Sequence, residues 1–464
     1  MKNYLKSYIG TRDFYKKMLT ILVPIIIQNA ITNFVGMLDN IMVGRIGTEQ
    51  MSGVAISNQL IFVYNLCIFG AVSGAGIFTA QFYGSGDDKG VRDTMRFKLL
   101  ITLFLGALFT AAFGVFGEPL VGFYLKGEGT AEAIRATSMY ALKYMDVMLL
   151  GLIPFALVQV YAGTLRECGE TIIPMHAGLI AVGTNLVLNY ILIYGKLGLP
   201  ALGVIGAALA TVISRYVELL IVVIYAHLHA KRFGFIRGLY RTLIIPWNLA
   251  WNIVKTGFPL LINETMWAAG ISLMVQSFSL RGIDVVGGIN IANTVGNVFN
   301  AVYISMGSAT AIIVGQELGA GKLDTVRGTV KQIMAFGVVG SAITGGLLAL
   351  TSPYFPLIYN TTDSVRHLAT GFICCSAVCA PLNAITNMAY FTIRSGGKTF
   401  ITFLFDSVFV WCVNVPVAYL LSVYSPISII PLVLIVYSLE AIKGVIGIAL
   451  IKKGVWINNI VSEY

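Results

Sequence analysis

Charge is what this sequence has least of. Of 464 residues only 11% are Asp, Glu, Lys or Arg, while 57% are hydrophobic and the mean hydropathy is +0.82. A soluble globular chain carries about 25% charged residues, so a water-soluble domain is excluded at the outset. Histidine is scarce as well, with four in all, at 176, 227, 229 and 367. No Walker-type segment, no HExxH and no Ser-His-Asp arrangement can be found, which leaves no enzymatic chemistry to build on and predicts a non-enzyme without a cofactor. The six cysteines, at 67, 168, 374, 375, 379 and 412, fall mostly inside apolar runs and form no zinc-like CxxC pairs. They read as small membrane-buried hydrophobes, with no disulfide framework implied.

What the chain has instead is 49 Gly, 26 Phe and 22 Tyr, the residues favoured in and around spanning segments. Lys and Arg number 31 against 21 Asp and Glu, a net charge of +10. In a soluble protein that excess would suggest nucleic acid. Here it reads as the cationic bias of cytoplasmic loops, so the expected partner is the lipid bilayer and no nucleic-acid partner is expected. The opening MKNYLKSYIGTRDFYKK is basic, but the apolar run behind it is too long for a signal peptide and lacks a small-residue cleavage site. It reads as a first spanning helix.

A helix needs about 20 apolar residues to cross a bilayer. Runs of that order lie at 18–39, 53–82, 97–117, 137–161, 171–194, 201–226, 253–279, 285–315, 330–350, 368–392, 400–424 and 428–451. The predicted fold is therefore an all-α polytopic membrane protein with twelve transmembrane helices. An even number puts both termini on one side, and the side they share collects most of the Lys and Arg, which predicts cytoplasmic termini. Short tails and the absence of an organelle-targeting segment point to a bacterial plasma (inner) membrane.

The chain also repeats itself. GIFTAQFYGSGDDKGVR (76–92) and AIIVGQELGAGKLDTVR (311–327) align at one offset, placing Gln81 on Gln316, Gly84 on Gly319, Gly86 on Gly321 and Arg92 on Arg327. The same offset sets Pro24 on Pro259, and a second echo pairs LRECGET (165–171) with IRSGGKT (393–399). Each echo follows an even-numbered span, so the halves keep one orientation and form parallel repeats about an axis along the membrane normal. The basic stretch HLHAKRFGFIRGLYR (227–241) separates them. Two six-helix bundles related by pseudo-two-fold symmetry follow, residues 1–235 and 236–464.

Several of these stretches together resemble the multidrug and toxic compound extrusion (MATE) family, within the wider group of multidrug, oligosaccharidyl-lipid and polysaccharide flippases. MLDNIMVGRIG matches the family's Asp-x-x-x-x-Gly-Arg pattern on Asp39, Gly44 and Arg45, and FPLLINETMWAAG its seventh-span Pro-x-x-x-x-Glu segment on Pro259 and Glu264. AQFYGSGD is similar to its second-span exit, and YAGTLRECGETIIPM to its Leu-Arg-Gly-x-Gly-Asp-Thr loop, with Glu167 and Glu170 where Gly and Asp are usual. The resemblance implies efflux of organic cations and drug-like compounds driven by inward Na+ or H+, two bundles forming a V around a cavity, and an ion-coupling acid in the first span. The chain departs from one branch in span 10, where no Asp or Glu occurs between Asp363 and Asp406 and the nearest polar groups are Asn383 and Asn387.

An ionisable side chain within a span is costly and normally faces protein or a water-filled cavity. Asp39, near the end of span 1, is the first candidate for coupling, with Asn29, Asn33 and Asn40 as helpers able to supply oxygens to Na+ or to satisfy a protonated carboxyl; an interfacial acid beside Arg45 is the bland alternative. Glu264 lies well inside span 7 with Asn263 beside it and Trp267 one turn on, a proton- or substrate-cation-binding residue or else polar glue between helices. Asp146 and Asp406 sit toward helix ends, where structural or interfacial roles lead, Arg215 and Glu218 are spaced i, i+3 to pair on one face, and Glu440 has no role assigned. Pro24, Pro154, Pro174 and Pro259 interrupt helices, and Met37, Phe62, Tyr64, Trp267, Met274, Tyr303 and Met306 would suit a greasy cavity.

The function these features predict is a monomeric secondary antiporter that exports small, cationic, amphipathic compounds in exchange for Na+ or H+. Within transport the rival is a flippase for a lipid-linked saccharide or phospholipid, which would need cationic side chains along its cavity. Outside transport it is a channel or receptor-like protein, against which the duplicated halves speak.

Overall fold

Hydrocarbon offers a backbone N–H or C=O no water to bond, so a spanning segment must satisfy itself as a helix. The structure, a computed structural model, describes residues 8–125 and 130–464, with every side chain among them except that of Met37. Among these residues twelve helices are long and apolar enough to cross a membrane. They are α1 Arg12–Gly44, α2 Thr48–Ser85, α3 Asp88–Tyr124, α4 Ala131–Glu167, α5 Ile172–Tyr194, α6 Val204–Leu228, α7 Trp247–Ser279, α8 Ile283–Gly319, α9 Val326–Thr351, α10 Asp363–Ser395, α11 Thr399–Tyr424 and α12 Ile429–Lys453. Each overlaps one apolar run of the sequence, and the longer ones continue past it into polar residues at both ends.

Local signals set where these helices begin and bend. α4 and α10, the fourth helix of each half, start the same way: Thr130 Oγ1 accepts from Ala133 N at 3.3 Å and Thr362 Oγ1 from Val365 N at 3.4 Å, each with an acid in the first turn. Pro24, Pro119, Pro154, Pro259 and Pro381 lie inside helices. Pro174, expected to interrupt one, instead occupies the first turn of α5, where its missing N–H costs nothing. α11 widens into two π turns, Leu404–Val408 and Val410–Asn414. Such turns re-aim side chains within a helix and recur at functional sites.

Two compact units result. The C-terminal unit comprises Met1–Ala30, Ala80–Asp87 and Lys255–Tyr464, and the N-terminal unit Ile31–Thr79 and Asp88–Val254. Compactness thus does not follow a single cut at 235/236: the beginning of α1 and the last turns of α2 pack with the second half, and α7 starts in the first.

In the C-terminal unit α10 is central, with α8, α9 and α12 against it. Met18, Leu22 and Ile25 of α1 share a buried cluster with Met306, Leu318, Ile333 and Trp456. In the N-terminal unit α4 packs on α3 and α6, and α5 on α6. Lipid is as apolar as Leu, so close backbone approach and polar ties hold such helices together rather than area burial. Gly151 meets Val212 Cγ2 in this way, Tyr64 Oη donates to the Leu152 carbonyl at 2.7 Å and Ser57 Oγ to that of Ala141 at 2.8 Å. Several aromatic and Met residues offered as cavity lining belong to these cores instead: Tyr64, Met274, Tyr303 and Met306 are buried, and Phe62 is exposed on the helix surface. Met37 carries the one such side chain outside those described.

The matched positions of the repeat now have physical reasons. Gly86 (φ 79°) and Gly321 (φ 71°) turn the chain after α2 and α8, and Gly169 (φ 83°) and Gly397 (φ 75°) after α4 and α10, all in the left-handed region that a Cβ disfavours. Gly84 and Gly319 act as a reciprocal pair. A Cβ on Gly84 would overlap the backbone of Gln316, and one on Gly319 the backbone of Gln81, each glycine facing the partner glycine's repeat-equivalent glutamine. The Gln81 amide adds ties from within the C-terminal unit: Nε2 donates to the carbonyls of Ser395 at 2.8 Å and Asn458 at 3.2 Å, and Ile460 N donates to Oε1 at 2.9 Å.

The N-terminal unit also holds ion pairs, one of them around a fully buried lysine. Lys98 is fully buried; its ammonium pairs with Glu167 and donates to Thr164 Oγ1 at 3.2 Å. Glu170 pairs with Arg232 at 2.9 Å, so both acids that depart from the Leu-Arg-Gly-x-Gly-Asp-Thr pattern meet a cation. Arg92 donates to the Phe235 carbonyl at 3.1 Å and Arg96 to that of Leu239 at 2.9 Å, which pins the basic stretch between the halves onto α3.

Gly319→Ala is expected to cost about 1–3 kcal/mol by overpacking against a backbone that cannot give way, seen as a lower melting temperature of detergent-purified protein; an unchanged melt would mean the crossing parts freely. Lys98→Met strands a carboxylate and should cost about 3–5 kcal/mol, while Lys98→Met/Glu167→Leu should recover most of it. The same melting measurement separates the two, and a double variant no better than the single would remove the pair from the account.

Candidate functional site

Asp39 lies in the last turns of α1, and two elements of its own unit reach it. Tyr194 Oη, at the end of α5, donates to the Met42 carbonyl at 2.9 Å and fixes the end of α1 against α5. That contact places Asn189 one turn back on α5, where its Nδ2 donates to Asp39 Oδ1 at 2.7 Å. Asn185 stands one further turn back. With its amide turned so that nitrogen faces the carboxylate, Asn185 donates to both Asp39 oxygens, at 2.9 and 3.1 Å, and its oxygen accepts from Thr211 Oγ1 at 3.2 Å. That orientation gives the carboxylate a donor in place of a facing amide oxygen, and it gives up the 3.1 Å bond that Asn189 Nδ2 otherwise donates to Asn185 Oδ1. Asn189 Oδ1 is left buried without a hydrogen-bond partner.

Asp39 forms one wall of a cavity of about 330 Å³ within the N-terminal unit. That volume lies at the small end of ligand pockets, roughly 300–1,000 Å³. Asn40, Asn58 and Asn65 add amides, Tyr144, Met148 and Phe155 add apolar and ring surface, and Arg215, also in the lining, attracts Asp39 electrostatically. The Arg215 guanidinium is already engaged: Nη1 pairs with Glu218 Oε2 at 2.9 Å, as the i, i+3 spacing predicted, and Cζ stands 5.3 Å from the Phe155 ring centroid. Among the described residues no cationic side chain pairs with Asp39. The cavity therefore presents one carboxylate hydrogen-bonded by amides, with no cation bonded to it among the described residues and its nearby guanidinium shared with Glu218, beside flat apolar surface.

The C-terminal unit holds a different arrangement around Glu264. Tyr390 Oη, from α10, donates to Glu264 Oε1 at 3.0 Å. Asn263, fully buried, donates through Nδ2 to Tyr390 Oη at 3.3 Å and to Asp406 Oδ2 at 3.0 Å, and its oxygen accepts from Ser407 Oγ at 2.7 Å. The first π turn of α11 carries both Asp406 and Ser407, which is how one helix presents two consecutive polar groups to α7. Lys443 of α12 closes the chain of contacts, 2.6 Å from Asp406 Oδ1 and 3.7 Å from Glu440 Oε2. Asp406, expected near a helix end in a structural or interfacial role, is one member of this network.

The remaining candidates scatter. Asn40 lines the Asp39 cavity, whereas Asn33 is exposed and outside its lining. Asn29 belongs to the C-terminal unit and donates to Ser305 Oγ at 3.0 Å. Trp267 is 43% exposed, and Asn387 Nδ2 donates to the Asn383 carbonyl at 2.9 Å, a bond within α10. Asp146 is exposed on α4, outside the cavity lining.

Sequence reasoning missed Asn185, Asn189 and Lys443. The first two carried a signal: spaced i, i+4 in TNLVLNY, they put two amides on one face of an apolar helix. Lys443 carried none, being near enough to the chain end to read as one more cytoplasmic cation.

Comparison with known proteins agrees with this architecture. The MatE family model matches residues 24–191 and 260–420. A Thermotoga maritima protein called probable multidrug resistance protein NorM is 24% identical over 430 residues, covering 92% of this chain and 90% of its own. The Bacillus subtilis probable multidrug resistance protein YoeA is 24% identical over 422 residues, covering 90% and 89%. Among solved structures, an outward-facing multidrug resistance MATE family transporter of the MOP superfamily superposes with a TM-score of 0.85 at 19% identity over 97% of both chains. A MOP superfamily transporter from Pyrococcus furiosus gives 0.83 at 18% identity, again over 97% of both. With twelve apolar helices and bacterial relatives matched over most of their length, this is a multi-pass cell-membrane protein. The chain belongs to the MatE family of membrane transporters.

Proposed function

We propose that the protein is a secondary antiporter that exports drug-like, amphipathic organic cations in exchange for Na+ or H+, with both termini cytoplasmic, and that Asp39 is the group through which ion and cargo compete. The observation that carries this is the wall of the N-terminal cavity: a carboxylate hydrogen-bonded by Asn189 and Asn185 with no cation bonded to it among the described residues, in a lining shared with Tyr144 and Phe155. A flat cation gains from both the charge and the ring faces. Na+ could draw on the carboxylate, the Thr211 hydroxyl and the unpartnered Asn189 Oδ1, all hard oxygen donors. A proton would neutralise the same acid with less geometric demand. Either one cancels the charge that holds the cargo, and an ion that binds two conformations unequally can then drive the exchange.

Export of several drugs is supported by relatives named as probable multidrug resistance proteins. A flippase gripping a lipid-linked phosphate would need open cationic side chains, and the Arg215 guanidinium of this cavity is paired with Glu218.

Everted vesicles given a fluorescent organic cation in the external medium test the proposal, with an outward-directed Na+ gradient and an outward-directed H+ gradient imposed separately. One of the two gradients should drive uptake, and Asp39→Asn should reduce that uptake to the level of vesicles lacking the protein. Transport indifferent to both gradients, and unchanged in Asp39→Asn, would remove the antiport reading.

A further inference from the structure

Of the carboxylates on the spanning helices of the C-terminal unit, Glu264, Asp406 and Glu440 lie more than a turn from either helix end, whereas Asp13, Asp284, Glu317 and Asp363 lie within two residues of one. The first three are not equivalent. Lys443 stands between two of them, 2.6 Å from Asp406 Oδ1 and 3.7 Å from Glu440 Oε2, with its side chain only 7% exposed. Its ammonium also sits 5.5 Å from the Phe405 ring centroid. The second Asp406 oxygen accepts from Asn263 Nδ2 at 3.0 Å, so both oxygens of that carboxylate are engaged, one by a cation and one by an amide. Glu264 is bonded instead by the Tyr390 phenol, a neutral donor, at 3.0 Å.

Two acids this close inside a helical bundle would strongly attract a monovalent cation, because each anion is costly to bury alone. Here the cation is covalently attached. A tethered ammonium competes at an effective concentration set by its stem, in the millimolar range or above for a short connection, and it cannot diffuse away. It also fills the space between the carboxylates that an incoming ion would need.

We propose that Lys443 is a tethered counter-ion that closes the Asp406–Glu440 pair to metal cations, so that this lysine sets the ion specificity of the C-terminal unit. Of these three acids away from the helix ends, Glu264 alone is then left for exchange with a mobile cation. The proposal rests on the antiport reading only in taking Na+ as the ion to test, and its experiment reads binding without transport. Failure of the vesicle assay and failure here are therefore distinguishable.

The full chain is purified in an Asp39→Asn/Glu264→Gln background, which silences the other two candidate acids. Melting midpoints are followed while NaCl replaces choline chloride at constant ionic strength. The quantity read is the response added by Lys443→Gln over that background. The background should show no saturable Na+ response. Adding Lys443→Gln should lower the midpoint in choline and create a saturable rise with Na+, and adding Asp406→Asn on top should abolish that rise. A background that already responds, and loses the response with Asp406→Asn, would show the pair taking metal despite Lys443 and would overturn the proposal. So would a folded Lys443→Gln variant with no added response. A Lys443→Gln variant that folds in neither salt also counts against it, since a gap between the two carboxylates that free Na+ cannot fill is not the site argued.

Discussion

A charge placed in hydrocarbon has to bring its partner with it, and this one requirement orders most of the polar structure here. Lys98 brings Glu167, Arg215 brings Glu218, and Lys443 holds Asp406 with Glu440 at its other side. Each pair couples two helices or two turns of one helix, so the same contacts that make burial tolerable also fix how the helices sit within a unit. Asp39 stands outside this pattern. Amides from α5 hold it, and no ammonium or guanidinium among the described residues is bonded to it. Its nearby guanidinium, Arg215, is paired with Glu218, so the carboxylate has no cation bonded to it to displace.

The two halves share a scaffold for backbone reasons and differ in side-chain chemistry. Gly86 and Gly321, like Gly169 and Gly397, recur because the chain must pass through a left-handed conformation at each of those turns. Gly84 and Gly319 recur because each lets the other's glutamine backbone approach where a Cβ would collide. No comparable constraint acts on the acids. Asp39 lies near the end of the first helix of its half, whereas Glu264 lies near the middle of α7 and joins a network reaching α10, α11 and α12. The turns and the crossing glycines recur in both halves, and the charge chemistry differs on top of them.

How far the sequence could be read depended on whether a signal was local. Apolar run length carried the span count, because a bilayer imposes its thickness on every crossing segment. The i, i+3 spacing of Arg215 and Glu218 carried their pairing, because helix geometry alone brings such residues together. Asn185 and Asn189 were legible in principle as an i, i+4 face, but nothing in α5 itself says that this face meets α1. Lys98 and Lys443 resist reading from the sequence for a related reason. Both lie within a few turns of a helix end, where a lysine ordinarily marks the membrane surface, and both turned inward because a carboxylate on another helix was there to receive them.

By itself, then, the sequence determined the class of molecule, the number and order of its helices, and the recurring glycine turns of its two halves, and it marked Asp39 and Glu264 as acids within spans, since hydrophobic length, glycine turns and isolated carboxylates are all written in consecutive residues. Tertiary structure decided which charges are spent and which are open. That Asp39 meets only amides, that Asp406 meets Lys443, and that Asn29 packs with the far half rather than with Asp39 are consequences of which helix faces which. Partners separated by tens or hundreds of residues leave no periodicity in the chain, and only packing brings them within bonding distance.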